Sequence, residues 1–379
     1  MLNPVARYVP ALDGLRGIAI LLVLWHHGYQ VFGGMEPEQD WLFWRMSEWG
    51  WLGVDLFFVV SGFLITSLLL VGREHPDQLK IFWWRRILRI QPPALLYLCV
   101  LYLLVPSVDV LAPLRSLEGW WMYFLYLGNL HIAQHGWPAG PLALLWSLAI
   151  EEQFYLVWPL LVRALTPVRL AWLCGALILL TPVARALALS KLGYPAGVIF
   201  TLFRFDGLAL GALTALLFAM PAARERLLRH ARQLLPLALM VLVGIMLIPP
   251  DGSRIKASPW FGAVGYSSIA LACAVLVVNA MNPGPRLRHL LENRALVSVG
   301  KVCYSLYLWH LLTAELMYAH LHAQLAPAGR GVEMLLWLAL TGVWVVLSWV
   351  YFEQPLLRLK DLYRGRTIPL QPKAPPRVS

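Results

Sequence analysis

Long apolar runs follow one another along this chain, and short segments rich in charged residues separate them. A helix that spans the hydrocarbon core of a bilayer needs about 20 mostly apolar residues. Ten runs of this kind predict ten spanning helices, at 15–34, 51–71, 90–107, 142–163, 168–188, 197–220, 233–250, 261–281, 300–319 and 333–353. An aromatic stretch at 119–130 is too short to span and predicts an interfacial or re-entrant segment. The predicted fold class is therefore an all-α, polytopic membrane helical bundle.

The composition excludes a soluble protein. Hydrophobic residues make up 59% of the 379 positions and charged residues only 13%, whereas soluble domains carry about 25% charged residues. A soluble chain of this length has too little interior to bury so much apolar surface. We predict one integral-membrane domain over 1–358, followed by a basic, proline-rich cytoplasmic tail at 359–379.

The net charge of +11 argues for membrane sidedness and against a nucleic-acid partner. The basic residues lie between the apolar runs and do not cluster on one soluble face. If the N-terminus is cytoplasmic, the cytoplasmic segments hold 23 of the 31 lysines and arginines, and the outer segments hold 7. Because positive charge favours the cytoplasmic side, both termini are predicted to be cytoplasmic. The segment 107–140 is then outside, where it can cap a site.

Ionisable residues inside the predicted spans indicate a functional region. A charge at bilayer depth costs several kcal/mol, so such a residue usually faces a cavity or a partner. The set comprises Arg16, His27, Asp55, Glu151, Glu152, Arg204, Asp206, His310, Glu315 and Glu353. Any one of them can be half of a structural ion pair, but the whole set favours a polar reaction chamber or an ion path.

The first predicted span carries a cation and an imidazole on one helical face. Arg16 and His27 are eleven residues apart, which on an α-helix is about three turns plus 20° and roughly 16 Å along the axis. His26 points about 100° away from that face. Arginine suits phosphate binding and histidine suits proton transfer near neutral pH. The alternative is that Arg16 anchors the helix at the lipid headgroups.

This span, LDGLRGIAILLVLWHHG, resembles the Arg-x10-His signature of the acyltransferase 3 family of integral-membrane acyltransferases. Further segments resemble the family in its order: GVDLFFVVSGFLIT (53–66), FWWRRILRIQPPALL (82–96), LWSLAIEEQFYLVWPLL (145–161), RFDGLALGAL (204–213), GKVCYSLYLWHLL (300–312) and FEQPLL (352–357). The resemblance covers nearly the whole chain and agrees with ten spans. Because the chain stops soon after the tenth run, we expect it to lack the periplasmic esterase-like domain of some members.

The resemblance implies an activity and a location. Family members move an acyl group, commonly acetyl, from cytoplasmic acyl-CoA to a hydroxyl of a cell-surface carbohydrate or a related molecule. Arg16 and His27 would be the essential pair, acetyl-CoA the donor substrate and a carbohydrate the acceptor. No tightly bound cofactor or metal is expected. The location implied is the inner membrane of a bacterial cell.

Three arginines before the third span are candidates for donor binding. Arg85 and Arg89 are four residues apart and share a helical face, with Arg86 beside them. The cluster could hold the phosphates of CoA through bidentate hydrogen bonds. Alternatively it anchors the helix to anionic headgroups, which attract the same residues.

Other intramembrane residues are candidates for catalysis or for the acceptor side. Ser147, Glu151 and Tyr155 recur every four residues and form one polar stripe. Glu151 could orient a histidine, bind sugar hydroxyls or pair with an arginine such as Arg204. Asp55 could contact the acceptor or cap the start of its helix.

Tyr307 lies one turn before His310 in the ninth span. His310 is either a second proton-transfer residue or a hydrogen-bonded structural histidine. Gly207 and Gly211 form a GxxxG pattern typical of close helix packing.

Two mechanisms and one different function stay open at this point. His27 could act as a general base on the acceptor hydroxyl, or it could first take the acyl group as an acyl-imidazole. The alternative function is a proton-coupled transporter or exporter of a glycan or lipid, with the ionisable residues as a relay. Against a transporter, the sequence has no visible inverted repeat.

Overall fold

The computed structural model describes residues 8–33, 47–115, 117–138, 140–248 and 253–359, and these residues contain helices and no strand. Within them, ten helices have fifteen or more residues. They are α1 Pro10–Phe32, α2 Leu52–Val71, α3 Gln78–Leu104, α4 Leu145–Ala164, α5 Pro167–Leu192, α6 Phe205–Ala219, α7 Pro221–Leu247, α8 Tyr266–Met281, α9 Cys303–Leu325 and α10 Arg330–Ser348. They follow the order of the ten predicted spans.

Shorter helical segments connect the long helices and line the ends of the bundle. Their bounds are Asp109–Leu114, Trp120–Phe124, Gly128–His135, Gly140–Leu144, Ala196–Ile199, Thr201–Phe203, Ser253–Ala257, Phe261–Gly265, Pro285–Leu291, Arg294–Lys301, Ala326–Ala328, Trp349–Glu353 and Gln354–Arg358. The aromatic stretch at 119–130 thus contains one short helix and the start of another, and neither is long enough to cross a bilayer.

Six helical segments are long and apolar enough to cross a membrane by themselves: α2, α3, α5, α7, Phe261–Met281 and Arg330–Arg358. A seventh is obtained if Arg294–Lys301 and the helix that follows it, bent by 75°, form one span. The remaining long helices, α1, α4 and α6, are shorter or more polar. The prediction of an all-α, polytopic membrane bundle is confirmed.

Two helices begin well before the predicted spans. The third span was predicted from residue 90, but α3 begins at Gln78 and carries the arginine cluster on the same helix. The seventh was predicted from residue 233, but α7 begins at Pro221 and includes the basic stretch before it. Amphipathic polar turns can extend an apolar helix without a break, so hydropathy places the start of the apolar part and misses the start of the helix.

Glycines allow α2 and α6 to approach each other at backbone distance. A Cβ on Gly62 would lie 2.1 Å from the carbonyl oxygen of Leu208, and one on Gly211 would lie 2.1 Å from that of Val59. A Cβ on Gly207 would meet nothing closer than 3.5 Å. The GxxxG prediction of close packing is therefore confirmed for Gly211, and its partner glycine lies on α2.

Candidate active site

Two adjoining cavities lie among the long helices. The first, here called the Arg16 chamber, has a volume of about 120 Å³ and lies between α1, α2, α3, α4 and α9. The second, the His27 chamber, has a volume of about 450 Å³. Val54 and Tyr307 line both chambers. The two ends of the predicted Arg16–His27 face thus open into two successive compartments.

The Arg16 chamber is rich in guanidinium groups. Arg16, Arg86 and Arg89 all line it. Arg16 contacts Asp13 at 3.4 Å, and the guanidinium of Arg86 lies 5.3 Å from the ring centre of Tyr155. With three cations on its wall and one carboxylate, Glu151, the chamber suits an anionic ligand.

The predicted pairing of Arg85 with Arg89 has the wrong register for this chamber. Arg86 and Arg89, three residues apart, line the wall, whereas Arg85 does not. Residues i and i+3 share a helical face as well as residues i and i+4 do. Which of the two pairs faces inward depends on the rotation of α3 in the bundle, and the local spacing does not determine that rotation.

The polar stripe on α4 faces the Arg16 chamber, as its spacing predicted. Ser147, Glu151 and Tyr155 all line it. Glu151 accepts a hydrogen bond from the Tyr155 hydroxyl at 2.8 Å and another from Ser61 at 3.0 Å. The expectations that Glu151 orients a histidine or pairs with Arg204 are wrong, because its oxygens bind these hydroxyls instead.

Tyr307 stands at the boundary between the chambers. Its hydroxyl donates to the carbonyl oxygen of Leu144 at 2.8 Å and lies 2.6 Å from the hydroxyl of Ser147. A carbonyl can only accept, so the Tyr307 proton goes to Leu144 and Ser147 donates to Tyr307. These two bonds tie α9 to the start of α4 at the point where the compartments meet.

His27, on the wall of the His27 chamber, forms a dyad with His310 behind it. Nδ1 of His27 lies 2.9 Å from Nε2 of His310. Nδ1 of His310 lies 2.8 Å from the carbonyl oxygen of Tyr307 and 3.0 Å from that of Leu306. His310 is fully buried, whereas His27 is partly exposed and lines the chamber. The sequence pattern selected both residues as candidates but did not predict their contact.

His26 has hydrogen-bond partners of its own, although its ring centre lies 5.0 Å from that of His27 and it also lines the His27 chamber. Its Nδ1 lies 2.6 Å from the carbonyl oxygen of Ser47, and its Nε2 accepts from the amide of Gln30 at 3.2 Å. Both ring nitrogens therefore have protein partners. This agrees with the predicted difference in direction between the two neighbouring histidines.

Two buried ion pairs support the wall around Arg204. Arg204 donates to Asp55 at 2.9 Å, and both side chains are buried. Arg185 makes two bonds to Asp206, at 2.7 and 3.1 Å. The ring of Tyr266 lies near both guanidinium groups, 4.8 Å from that of Arg204 and 5.0 Å from that of Arg185.

The prediction that Asp55 caps its helix is wrong. The helix begins at Leu52, and no side chain of the described residues caps it. The Asp55 carboxylate lies in the first turn and accepts a hydrogen bond from Arg204 instead. Asp55 is thus behind the chamber wall, and Arg204 is on it.

Several residues of the His27 chamber have no signal in the sequence pattern. They include Trp51, Trp137, Trp146, Tyr194 and Lys256. Burial lowers the pKa of Lys256, and the neighbouring Glu48 carboxylate opposes that shift. Trp137 belongs to the segment predicted to cap an outer site; the other four come from separate segments that no motif connects. Glu315, one of the ionisable residues that the sequence placed inside a span, lines the chamber as well.

Comparisons with known proteins identify relatives over most of the chain. The model of the acyltransferase domain family matches residues 9–353. A candidate peptidoglycan O-acetyltransferase of Bacillus subtilis (strain 168) is 32% identical over 332 residues, which cover 80% of this chain and 48% of the relative. The O-acetyltransferase OatA of Staphylococcus aureus (strain NCTC 8325 / PS 47) is 27% identical over 373 residues, 92% of this chain and 57% of the relative.

The chain spans about half the length of these curated relatives. No solved structure matches it. The match to the family covers the two chambers and all ten long helices up to the turn after α10. On this evidence the chain belongs to the acyltransferase 3 family, and its helices are those of a multi-pass membrane protein.

Proposed function

We propose that this protein is an O-acetyltransferase of the bacterial inner membrane. It takes an acyl group, acetyl in the first instance, from cytoplasmic acyl-CoA and transfers it to a hydroxyl of a cell-surface or exported carbohydrate. The observation that carries the proposal is that an arginine-lined chamber meets, at Tyr307, a second chamber lined by His27. One relative is named as an O-acetyltransferase and another as a candidate peptidoglycan O-acetyltransferase, and these names support the same acyl group and acceptor class.

The Arg16 chamber is the proposed donor site. Its three arginines suit the phosphate groups of CoA, because the planar guanidinium binds phosphate oxygens in pairs. Arg86 and Arg89 lie on the part of α3 that belongs to a basic segment, which the positive-inside rule assigns to the cytoplasm. The acyl-pantetheine arm then points past Tyr307 toward His27.

The His27 chamber is the proposed acceptor site. In direct transfer, His27 removes the proton of the acceptor hydroxyl as its oxygen attacks the thioester carbonyl. The carbon–sulfur bond breaks, and the CoA thiolate leaves and takes up the proton from the histidine. In the two-step route, His27 attacks the carbonyl first, the carbon–sulfur bond breaks and the CoA thiolate leaves. The acceptor hydroxyl then displaces the histidine from the acyl-imidazole, and the hydroxyl proton passes by way of the histidine to the thiolate. Both routes give the acetyl ester and CoA thiol.

The test compares two neighbouring histidines. Membrane vesicles from a strain that lacks the gene receive wild-type, His27→Ala or His26→Ala protein, with membrane levels matched by immunoblot. Radiolabelled acetyl-CoA is added, and acetyl groups on the glycan fraction are counted and weighed by mass spectrometry. We expect His27→Ala to lose transfer and His26→Ala, the matched control, to keep substantial activity.

Two results would count against the proposal. Normal acetylation by His27→Ala at the wild-type protein level would remove His27 from the mechanism. If wild-type vesicles move a glycan but consume no acetyl-CoA, the protein is a transporter and the proposed enzyme activity is wrong.

A further inference from the structure

We infer that His310 is a positioning residue that fixes the tautomer of His27, so that Nε2 of His27 is the nitrogen that reacts. The reaction itself rests on the proposed function. The tautomer follows from the hydrogen bonds of the dyad alone and can be measured without any turnover.

The proton on His310 is assigned by its acceptors. Nδ1 of His310 faces two carbonyl oxygens, those of Tyr307 at 2.8 Å and Leu306 at 3.0 Å. Carbonyl oxygens only accept hydrogen bonds, so Nδ1 carries the proton. In a neutral imidazole the other nitrogen then has no proton and is an acceptor. Nε2 of His310 is therefore an acceptor that faces His27.

The same reasoning assigns the proton on His27. Nδ1 of His27 lies 2.9 Å from that acceptor and must donate to it. The proton of the neutral His27 ring is therefore on Nδ1.

Nε2 of His27 is left with a free lone pair. Among the residues that the structure describes, no hydrogen-bond partner faces this nitrogen, and the ring lines the His27 chamber. It is therefore the nitrogen that an acceptor hydroxyl or a thioester carbonyl meets. His310, fully buried behind it, acts only through His27.

The dyad also accounts for the proton that the reaction releases. When Nε2 of His27 takes the hydroxyl proton, the ring becomes an imidazolium that still donates from Nδ1 to His310. The Nδ1 proton can shift along the 2.9 Å bond to Nε2 of His310, whose own Nδ1–H stays on two carbonyls. The charge is then shared by two rings until His27 returns the proton to the CoA thiolate. A residue behind a catalytic histidine has this orienting and stabilising role in hydrolase triads.

The closing experiment reads the tautomer directly. Protein labelled with ¹⁵N-histidine is placed in lipid nanodiscs, and long-range ¹H–¹⁵N spectra distinguish Nδ1–H from Nε2–H rings. The signals of His27 are assigned by their loss in His27→Ala. We expect His27 to be the Nδ1–H tautomer in the wild type and to gain Nε2–H population in His310→Leu.

The kinetic arm uses the same variants. His310→Leu should lower kcat by about 10- to 100-fold, as the loss of a residue that orients a metal-bound histidine does, with the KM for acetyl-CoA unchanged. His310→Gln keeps an acceptor oxygen and should recover part of kcat; it also serves if the leucine variant does not fold. His320→Leu, an exposed histidine on the same helix α9, is the matched control.

The outcomes distinguish the positioning of His27 by His310 from the proposed acetyl transfer. A wild-type His27 with its proton on Nε2 would overturn the inference. So would a His310→Leu variant with unchanged tautomer and unchanged kcat. If the tautomer is as expected but no variant, including the wild type, transfers acetyl groups, the proposed function fails and the positioning of His27 stands.

Discussion

The buried pair of Asp55 and Arg204 gives a prediction whose size can be worked out from the structure. The carboxylate and the guanidinium are 2.9 Å apart, with only 5% and 3% of their side chains exposed. Asp55→Ala would leave the cation buried without its partner. Removing one member of a buried pair costs about 3–5 kcal/mol, which is a factor of roughly 10² to 10³ or more in the unfolding equilibrium.

The aromatic rings around Arg204 do not offset this loss. The guanidinium already lies 4.8 to 5.5 Å from the ring centres of Phe58, Trp146 and Tyr266 in the intact protein. These contacts are present before and after the change, so they cancel in the comparison. Replacing both charges by apolar groups removes the uncompensated cation, and such exchanges are often neutral or stabilising. Asp55→Ala/Arg204→Met should therefore recover most of the loss.

The assay is denaturant-induced unfolding of the purified protein in detergent, followed by tryptophan fluorescence. The matched control is Glu225→Ala, which breaks an exposed pair with Arg229 at 3.4 Å and should cost no more than about 1 kcal/mol. The reasoning would be refuted if Asp55→Ala were as mild as this control. It would also be refuted if the double variant were no more stable than Asp55→Ala alone.

Three further predictions follow from the packing and the charges. Arg89→Lys should raise the KM for acetyl-CoA in vesicle kinetics, because lysine lacks the planar fork of the guanidinium. Arg85→Lys, outside the chamber wall, should leave this KM unchanged. Equal effects of the two substitutions would indicate that the arginines anchor α3 to lipid headgroups. Gly211→Ala should destabilise the protein by about 1–3 kcal/mol through overpacking against the backbone of α2, and Gly207→Ala should be milder when both are compared by thermal unfolding. A periplasmic reporter fused at Gly136 and a cytoplasmic reporter at the C-terminus should both be active, and the opposite pattern would reverse the orientation derived from the basic residues.

Local patterns in the sequence determined most of the helical architecture. In a bilayer the backbone N–H and C=O groups of a long apolar run must be hydrogen-bonded within the run itself, so the run forms a helix. The order of the ten long helices follows from that constraint. Helical periodicity likewise placed Ser147, Glu151 and Tyr155 on one wall and gave His26 and His27 different directions on α1, because side-chain direction within one helix depends on spacing.

The tertiary structure alone decided which charged and polar groups meet. His27 and His310 are 283 positions apart, and Asp55 and Arg204 are 149 apart. The sequence suggested Glu151 as a partner of Arg204 or of a histidine, and neither contact forms. The choice depends on which helices are neighbours and on how each is rotated, as the exclusion of Arg85 from the chamber wall shows. Those quantities are fixed by the packing of all ten helices together, since close contacts such as that of Gly211 against α2 involve residues from different parts of the chain.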